Sequence, residues 1–271
     1  MTRMLNQPLD LQIADGVATV TLNRPDVRNA FDDSVIAQLT EMLKGLGADP
    51  SVRAVVLAGS GPIFCAGGDL SWMRRMADYD EAANLADARG LGALLSTLDR
   101  LPKPTLARVQ GGAYAGGIGL IAACDIAVAG SDARFAVTEV RIGLAPAVIS
   151  PYLVRAMGSR VCRRLFLTAE VFDAAAALSW GLLHDVVAPD QLDARIAEHL
   201  AALAKGSTAA QAVSKKLAAE VDRPLDAAVI EATVHAIAAQ RASPEGREGV
   251  SAFLEKRKPS WLPTSFTEAA R

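Results

Sequence analysis

The chain has 271 residues, 51% of them apolar and 21% charged, a mix that describes a globular protein with a sizeable core and excludes a disordered or fibrous one. Its 28 Lys and Arg against 30 Asp and Glu leave a formal charge of −2, so no net field favours nucleic acid or an anionic membrane. No run approaches the roughly 18 uninterrupted apolar residues of a membrane span, and no basic stretch followed by an apolar one opens the chain, so the sequence reads as a cytoplasmic protein.

In chain order, Leu11 to Leu22 places two β-prone runs on either side of Asp15-Gly16, the signature of a hairpin. Asp32 and Asp33 offer N-caps for a helix through Ser34–Leu43 that is expected to end near Gly45 and Gly47. Arg53–Ala58 reads as a buried strand, Thr105–Val109 as another, Gly111–Gly119 as a glycine-rich turn, Leu120 onward as a helix of small residues, and Asp125–Ala129 as a further strand. Strands alternating with helices predict an α/β layered core with parallel pairing over residues 1–190. From about Pro189 the pattern turns helical, punctuated by Pro224 and Pro244, and predicts a C-terminal helical region over residues 191–271. No internal repeat is visible. Cys65, Cys124 and Cys162 are far apart and lack metal-ligand spacing, which predicts reduced, buried small hydrophobes and no metal.

Several motifs lead nowhere. Gly117-Ile-Gly-Leu-Ile-Ala122 matches a dinucleotide fingerprint, but its glycines do not directly follow a strand and no acidic residue stands at the end of a second strand about 20 residues on. No P-loop, H-E-x-x-H or G-x-S-x-G occurs, and His184, His199 and His235 are widely spaced, as surface or satisfied core histidines would be. The run Glu255-Lys256-Arg257-Lys258 suits either a small phosphate-bearing ligand or a solvated helix end.

Two glycine-rich segments carry more information. Phe64-Cys-Ala-Gly-Gly-Asp-Leu70 and Gly111-Gly-Ala-Tyr-Ala-Gly-Gly-Ile-Gly119 each lead from a strand into a helix. They serve either as tight turns or as a pair of backbone N–H donors for an oxygen that gains negative charge. Preorganised donors of that kind are worth about 2.7–4 kcal/mol each to a developing oxyanion. Glu139, in the apolar setting Phe135–Leu144, is either a proton-transfer carboxylate with a raised pKa or the ion-pair partner of Arg141.

Asn23-Arg-Pro-Asp-Val-Arg-Asn-Ala30, Phe64–Leu70, Gly111–Asp125, and Glu139 with Gly143-Leu-Ala-Pro-Ala147 together resemble the successive signature blocks of the crotonase (enoyl-CoA hydratase/isomerase) superfamily. The resemblance implies a spiral of repeated ββα units with a C-terminal helical trimerisation region, assembled as a homotrimer or homohexamer. It also implies an acyl-CoA thioester substrate, coenzyme A entering as part of that substrate with no separate cofactor. By the same resemblance, Gly68 and Gly116 supply the oxyanion-hole N–H groups and Glu139 is the second catalytic glutamate. Arg28, Ala30, Ala66, Gly67, Asp69 and Leu70 belong to the segments that hold coenzyme A, and Phe253 and Lys256 to the C-terminal residues that reach it. One departure stands out: two-glutamate hydratases carry their first glutamate where this chain has Gly119. Thr138–Tyr152 and Ala252–Trp261 look most like bacterial methylglutaconyl-CoA hydratases of leucine breakdown and related carboxygeranoyl-CoA hydratases, which implies water addition to a 2-enoyl-CoA. A Δ3,Δ2-enoyl-CoA isomerase using one glutamate, or a non-catalytic acyl-CoA or RNA-binding member, are the alternatives. Arg74 or Arg75 would serve as partner for a distal substrate carboxylate, or as an ordinary exposed helix arginine.

Overall fold

The computed structural model describes residues 7–262. Strands β1 (Leu9–Ala14), β2 (Val17–Leu22), β3 (Ala54–Gly59), β4 (Thr105–Val109), β5 (Gly112–Tyr114), β6 (Ile126–Gly130), β7 (Arg134–Ala136), β8 (Phe172–Asp173) and β9 (Asp185–Val187) build two sheets. Up to Leu101, and from Thr105 to Ala197, the described residues form one compact unit; Pro102–Pro104 and the residues from Glu198 onward form a second.

In the first unit, the large sheet runs β1-β2-β3-β4-β6-β9, parallel throughout except for the β1/β2 hairpin. Asp15 and Gly16 adopt φ values of 51° and 78° at the hairpin, the double left-handed conformation that matches the twist of the flanking strands. Ala18, Val20 and Leu22 of β2 alternate inward with a period of two. Strand β3 is buried along almost its whole length, as expected of a strand covered on both faces.

The small sheet runs β5-β7-β8, with β5 and β7 parallel. Single parallel bridges, Cys65 to Ala113 and Phe31 to Gly68, continue the same pattern outward from β5. Each pass of the chain thus contributes one strand to the large sheet, a shorter extended piece to the small one, and then helix. This is the spiral of ββα units that the resemblance implies, a repeat that the sequence does not display as recurring residues.

The helix α1 (Asp33–Ala48) is capped by Asp32, whose carboxylate accepts from the Val35 N–H at 2.9 Å. It continues through Gly45 and Gly47 instead of ending there. Burial of Leu46 on the same stripe as Val35, Leu39 and Leu43 outweighs the glycine propensity cost. Next come α2 (Leu70–Met76) and α3 (Glu81–Asp99), then α4 (Gly116–Ala122), α5 (Ser150–Thr168, interrupted at Gly158), and α6 (Ala174–Ser179). The segment expected to be one turn from Gly111 to Gly119 therefore contains both β5 and the start of α4. Positions 116 and 117 open α4 as glycines because the chain passes there where no Cβ fits. Built there, those atoms would stand 2.6 Å from Phe31 Cζ and 2.6 Å from the Cys65 carbonyl oxygen.

Helix α7 (Leu192–Leu203) crosses from the first unit to the second, so the compact units divide within it, later than residue 190. The second unit holds α8 (Thr208–Val221), α9 (Ala227–Ala242) and α10 (Pro244–Leu254), capped by Ser207, Asp226 and Ser243. Only Val229 of α9 is buried, while Ile230, Val234 and Ile237 stay half exposed. No helix among the described residues is long and apolar enough to cross a membrane.

Candidate active site

Three consecutive extended pieces of the small sheet point the same way. Cys65 pairs in parallel with Ala113, and Ala113 with Phe135. Gly68 follows Cys65 by three residues, Gly116 follows Ala113 by three, and Glu139 follows Phe135 by four. All three therefore leave the sheet past the C-terminal ends of adjacent parallel strands, spaced about 5 Å apart. In α/β sheets ligands bind along this edge.

Gly116 is the first residue of α4, and among the described residues no acceptor receives its N–H. Gly68 is likewise without an acceptor, because the bridge to Phe31 uses its neighbours: the Phe31 N–H donates to the Gly67 carbonyl, and the Asp69 N–H to the Phe31 carbonyl, both at 2.9 Å. The approach of the two loops depends on glycine at 67, where φ is +90° and a Cβ would lie 2.8 Å from the Tyr114 carbonyl oxygen and 3.5 Å from the Gly116 nitrogen. Below them, the Ala115 N–H donates to the Ala136 carbonyl at 3.0 Å and ties the start of α4 to β7.

Glu139 opens a short 3-10 turn, Glu139–Ile142. Its Oε2 is buried and has no hydrogen-bond partner among the described residues. Burial pushes its carboxyl pKa above the ordinary value, against the opposing pull of the Glu139 and Thr138 backbone N–H groups. The alternative role, ion-pair partner of Arg141, is not realised: Arg141 Nη2 donates to the Ala169 carbonyl at 2.7 Å instead. The remaining buried lone pairs of Glu139 are available to a substrate or a water.

At Gly119 the structure gives a physical reason for the missing carboxylate. A Cβ there would stand 2.4 Å from Ile149 Cγ2 and 3.0 Å from Ile149 Cβ, so buried Ile149 fills the space into which a side chain at 119 would project.

The other residues assigned by resemblance are placed unevenly. Arg28 is exposed with φ +55°, and its carbonyl accepts from the Ala66 N–H at 3.0 Å, so that amide is already spent. Ala30 is buried and its carbonyl accepts from Arg24 Nη1 at 2.6 Å. Asp69 is a structural residue here: it caps α2 through the Ser71 N–H at 2.7 Å and pairs with Arg24 at 2.9 Å. Burial would raise its pKa, but the Ser71 N–H and the Arg24 guanidinium together hold it below the ordinary value. Leu70, 70% exposed, is an apolar side chain at the mouth of this loop. Phe253 and Lys256 belong to the second unit; Phe253 is exposed, and Lys256 follows α10 with φ +55°. Beside Lys256, Arg257 is engaged by Glu248 at 2.7 and 2.9 Å and by Glu255 at 2.7 Å.

Further residues correct or extend the sequence reading. Cys124 is only half-buried, whereas Cys65 and Cys162 are buried, and burial pushes the Cys65 thiol up to about 12, which makes it inert. His184 accepts from the Ala127 N–H at 3.0 Å, and His235 faces Glu231 at 3.1 Å on the surface. Arg75 pairs with Asp33 at 2.5 Å, and both Arg74 and Arg75 of α2 are exposed. Sequence reasoning missed Asn29. Buried with φ +56°, it accepts from the Arg24 N–H at 2.9 Å and donates to the carbonyls of Ser60 and Ile63 at 2.7 Å each, clasping two loops. An Asn flanked by Arg28 and Ala30, in a segment with no regular periodicity, was its one visible signal.

Residues 12–263 match the family model described as enoyl-CoA hydratase/isomerase. A crystal structure of an enoyl-CoA hydratase from Shewanella pealeana superposes with a TM-score of 0.92 at 43% identity, covering 94% of this chain and 96% of that one. The 2,3-dehydroadipyl-CoA hydratase of Escherichia coli K12 is 35% identical over 90% of this chain and 94% of its own length. The (E)-benzylidenesuccinyl-CoA hydratase of Thauera aromatica is 32% identical over 94% and 98%. With matches spanning nearly the whole chain and the amides of Gly68 and Gly116 and the carboxyl of Glu139 on one sheet edge, this protein belongs to the enoyl-CoA hydratase/isomerase family of the crotonase superfamily.

Proposed function

We propose that the protein adds water to a 2-enoyl-CoA thioester, with Glu139 as its proton-transfer group. The thioester carbonyl oxygen sits between the Gly68 and Gly116 N–H groups. Glu139 takes a proton from water as the oxygen attacks the β-carbon, and the electron pair of the alkene moves onto the thioester oxygen as an enolate. The enolate collapses as the α-carbon receives a proton, which the now protonated Glu139, or a carboxyl of the substrate, delivers. The single observation that carries this reading is the buried, unpartnered Glu139 Oε2 on the same strand-end edge as two unpaired backbone donors.

Substrates with a second carboxylate, of the methylglutaconyl-CoA type, fit the reading best. Two relatives are named for half-thioesters of dicarboxylic acids. Arg74 stands exposed on the helix that follows the Gly68 loop. A Δ3,Δ2-isomerisation is the second reading, favoured by Ile149 occupying the space beside Gly119, because moving one proton between carbons asks for one carboxylate. Turnover should be followed by ultraviolet loss of the conjugated thioester across crotonyl-, methylcrotonyl-, methylglutaconyl- and geranyl-type CoA esters in oxygen-18 water. Label in the product supports hydration; turnover of β,γ-enoyl esters without label supports isomerisation and removes the hydratase reading.

A further inference from the structure

Gly68 has no side chain with which to anchor itself, so the direction of its N–H is set by what holds its neighbours. Asp69, 5% exposed, divides its carboxylate between two tasks: Oδ1 accepts from the Ser71 N–H at 2.7 Å, and Oδ2 accepts from Arg24 Nη2 at 2.9 Å. The other terminal nitrogen of Arg24 donates to the Ala30 carbonyl at 2.6 Å and stands 3.5 Å from Oδ2 of Asp32, the N-cap of α1. Arg24 is itself fixed by Asn29, whose Oδ1 accepts from the Arg24 N–H at 2.9 Å and whose own N–H donates to the Arg24 carbonyl at 2.8 Å. One half-buried guanidinium therefore bridges the caps of two helices and the turn between them.

We propose that Arg24 is a positioning residue: its guanidinium locks the Ala66–Asp69 loop to the Arg28–Asp32 turn, so that the Gly68 N–H stays aimed at the thioester oxygen. This rests on the reading of Gly68 as an oxyanion donor. The planar fork is essential, because two acceptors on two loops must be met at once; a lysine ammonium at the end of a flexible stem satisfies one or the other. Without Arg24, the Asp32 and Asp69 carboxylates face each other's charge, and the near-buried Asp69 draws water into the loop.

The test uses full-length protein and compares Arg24→Gln, Arg24→Ala, Arg24→Lys and Asp69→Asn with Glu139→Gln. Asn keeps an oxygen for the Ser71 N–H but presents an amide to Arg24, so it breaks the clasp and spares the cap. Displacing a catalytic group by ~1 Å can cost about 10²-fold in rate, and a loosened loop should therefore lower kcat by roughly 10- to 100-fold. Lys should restore little of this, and affinity for a saturated acyl-CoA should change by less than about threefold in Asp69→Asn. Added methylguanidinium should recover part of the kcat of Arg24→Ala and none of the kcat of Glu139→Gln; a role in global stability alone would leave kcat per folded enzyme unchanged. A folded Arg24→Gln or Asp69→Asn with wild-type kcat, while Glu139→Gln has lost turnover, overturns the clasp and leaves the site intact. Should Arg24→Gln not fold, Asp69→Asn alone decides. If Glu139→Gln itself turns over normally, the reading of the site fails, and the clasp with it.

Discussion

Gly119 offers a perturbation whose size can be worked out from the packing. Replacing it with Ala places a Cβ 2.4 Å from Ile149 Cγ2, 3.0 Å from Ile149 Cβ and 3.6 Å from Leu95 Cδ1. Ile149 is 2% exposed and cannot swing its methyl into solvent. Overpacking of this kind costs roughly 1–3 kcal/mol, whereas Ala in place of Gly within a helix returns about 1 kcal/mol. Gly119→Ala should therefore destabilise the fold by about 0–2 kcal/mol. Ile149→Ala alone should cost about 2–5 kcal/mol as a buried truncation. In the double variant the clash is gone, so the two effects should fall short of additivity by about 1–3 kcal/mol, a coupling that a double-mutant cycle measures directly. Urea unfolding of the four proteins at constant m supplies the numbers. Additive effects, or a Gly119→Ala variant more stable than wild type, would refute the claim that Ile149 fills the space of the absent carboxylate.

Because burial raises the Glu139 pKa above 4.5, the rate of the base-dependent step should fall with acid along a limb lying above the ordinary glutamate range, which a pH profile of kcat/KM checks. The same shift has a stability consequence. The contribution of the protonated form is present below the unfolded value of 4.5 and is lost as pH rises through the higher folded value, so Glu139→Gln should be more stable than wild type at neutral pH and lose that advantage in acid. Gly116→Pro deletes the donor at the first residue of α4, where a Cβ meets Phe31; introduced together with Phe31→Leu to make room, it should lower kcat by about 10² or more relative to Phe31→Leu alone. The half-exposed Ile230, Val234 and Ile237 recur along one stripe of α9, and light scattering should return a trimer or hexamer; a monomer at micromolar concentration contradicts that expectation.

What the sequence disclosed followed from local chemistry. Asp15-Gly16 announced its hairpin because few residue pairs tolerate two consecutive left-handed conformations, and β4 was delimited to the residue because a short β-compatible run lies between Pro104 and the glycines that follow Gln110. What stayed hidden depended on partners distant in the chain. The three residues of β5 are too few to show a period, and the crowding by Phe31 and Cys65 that requires glycine at 116 and 117 comes from distant parts of the chain. Asp69 entered the ligand-binding set through the family resemblance alone; its pairing with Arg24, 45 positions away, was not visible in the sequence. Glu139 and Arg141 suggested a pair by proximity, but positions two apart on a helical turn do not face each other, and the guanidinium went to Ala169. The family blocks pointed to the amides and the carboxyl; the missing hydrogen bond of Glu139 and the filled space beside Gly119 required coordinates.

The central claim is that Glu139 moves the proton. Gln preserves the shape of Glu139 and can still hydrogen-bond, but it cannot accept a proton from water, so Glu139→Gln separates acid–base chemistry from packing. The decisive measurement is kcat together with the affinity for a saturated acyl-CoA in one folded variant, using the best substrate of the thioester panel. The account predicts a loss of kcat toward the upper end of the roughly 10²–10⁴-fold range of general acid–base catalysis, with affinity little changed. Near-normal turnover in that variant would contradict it.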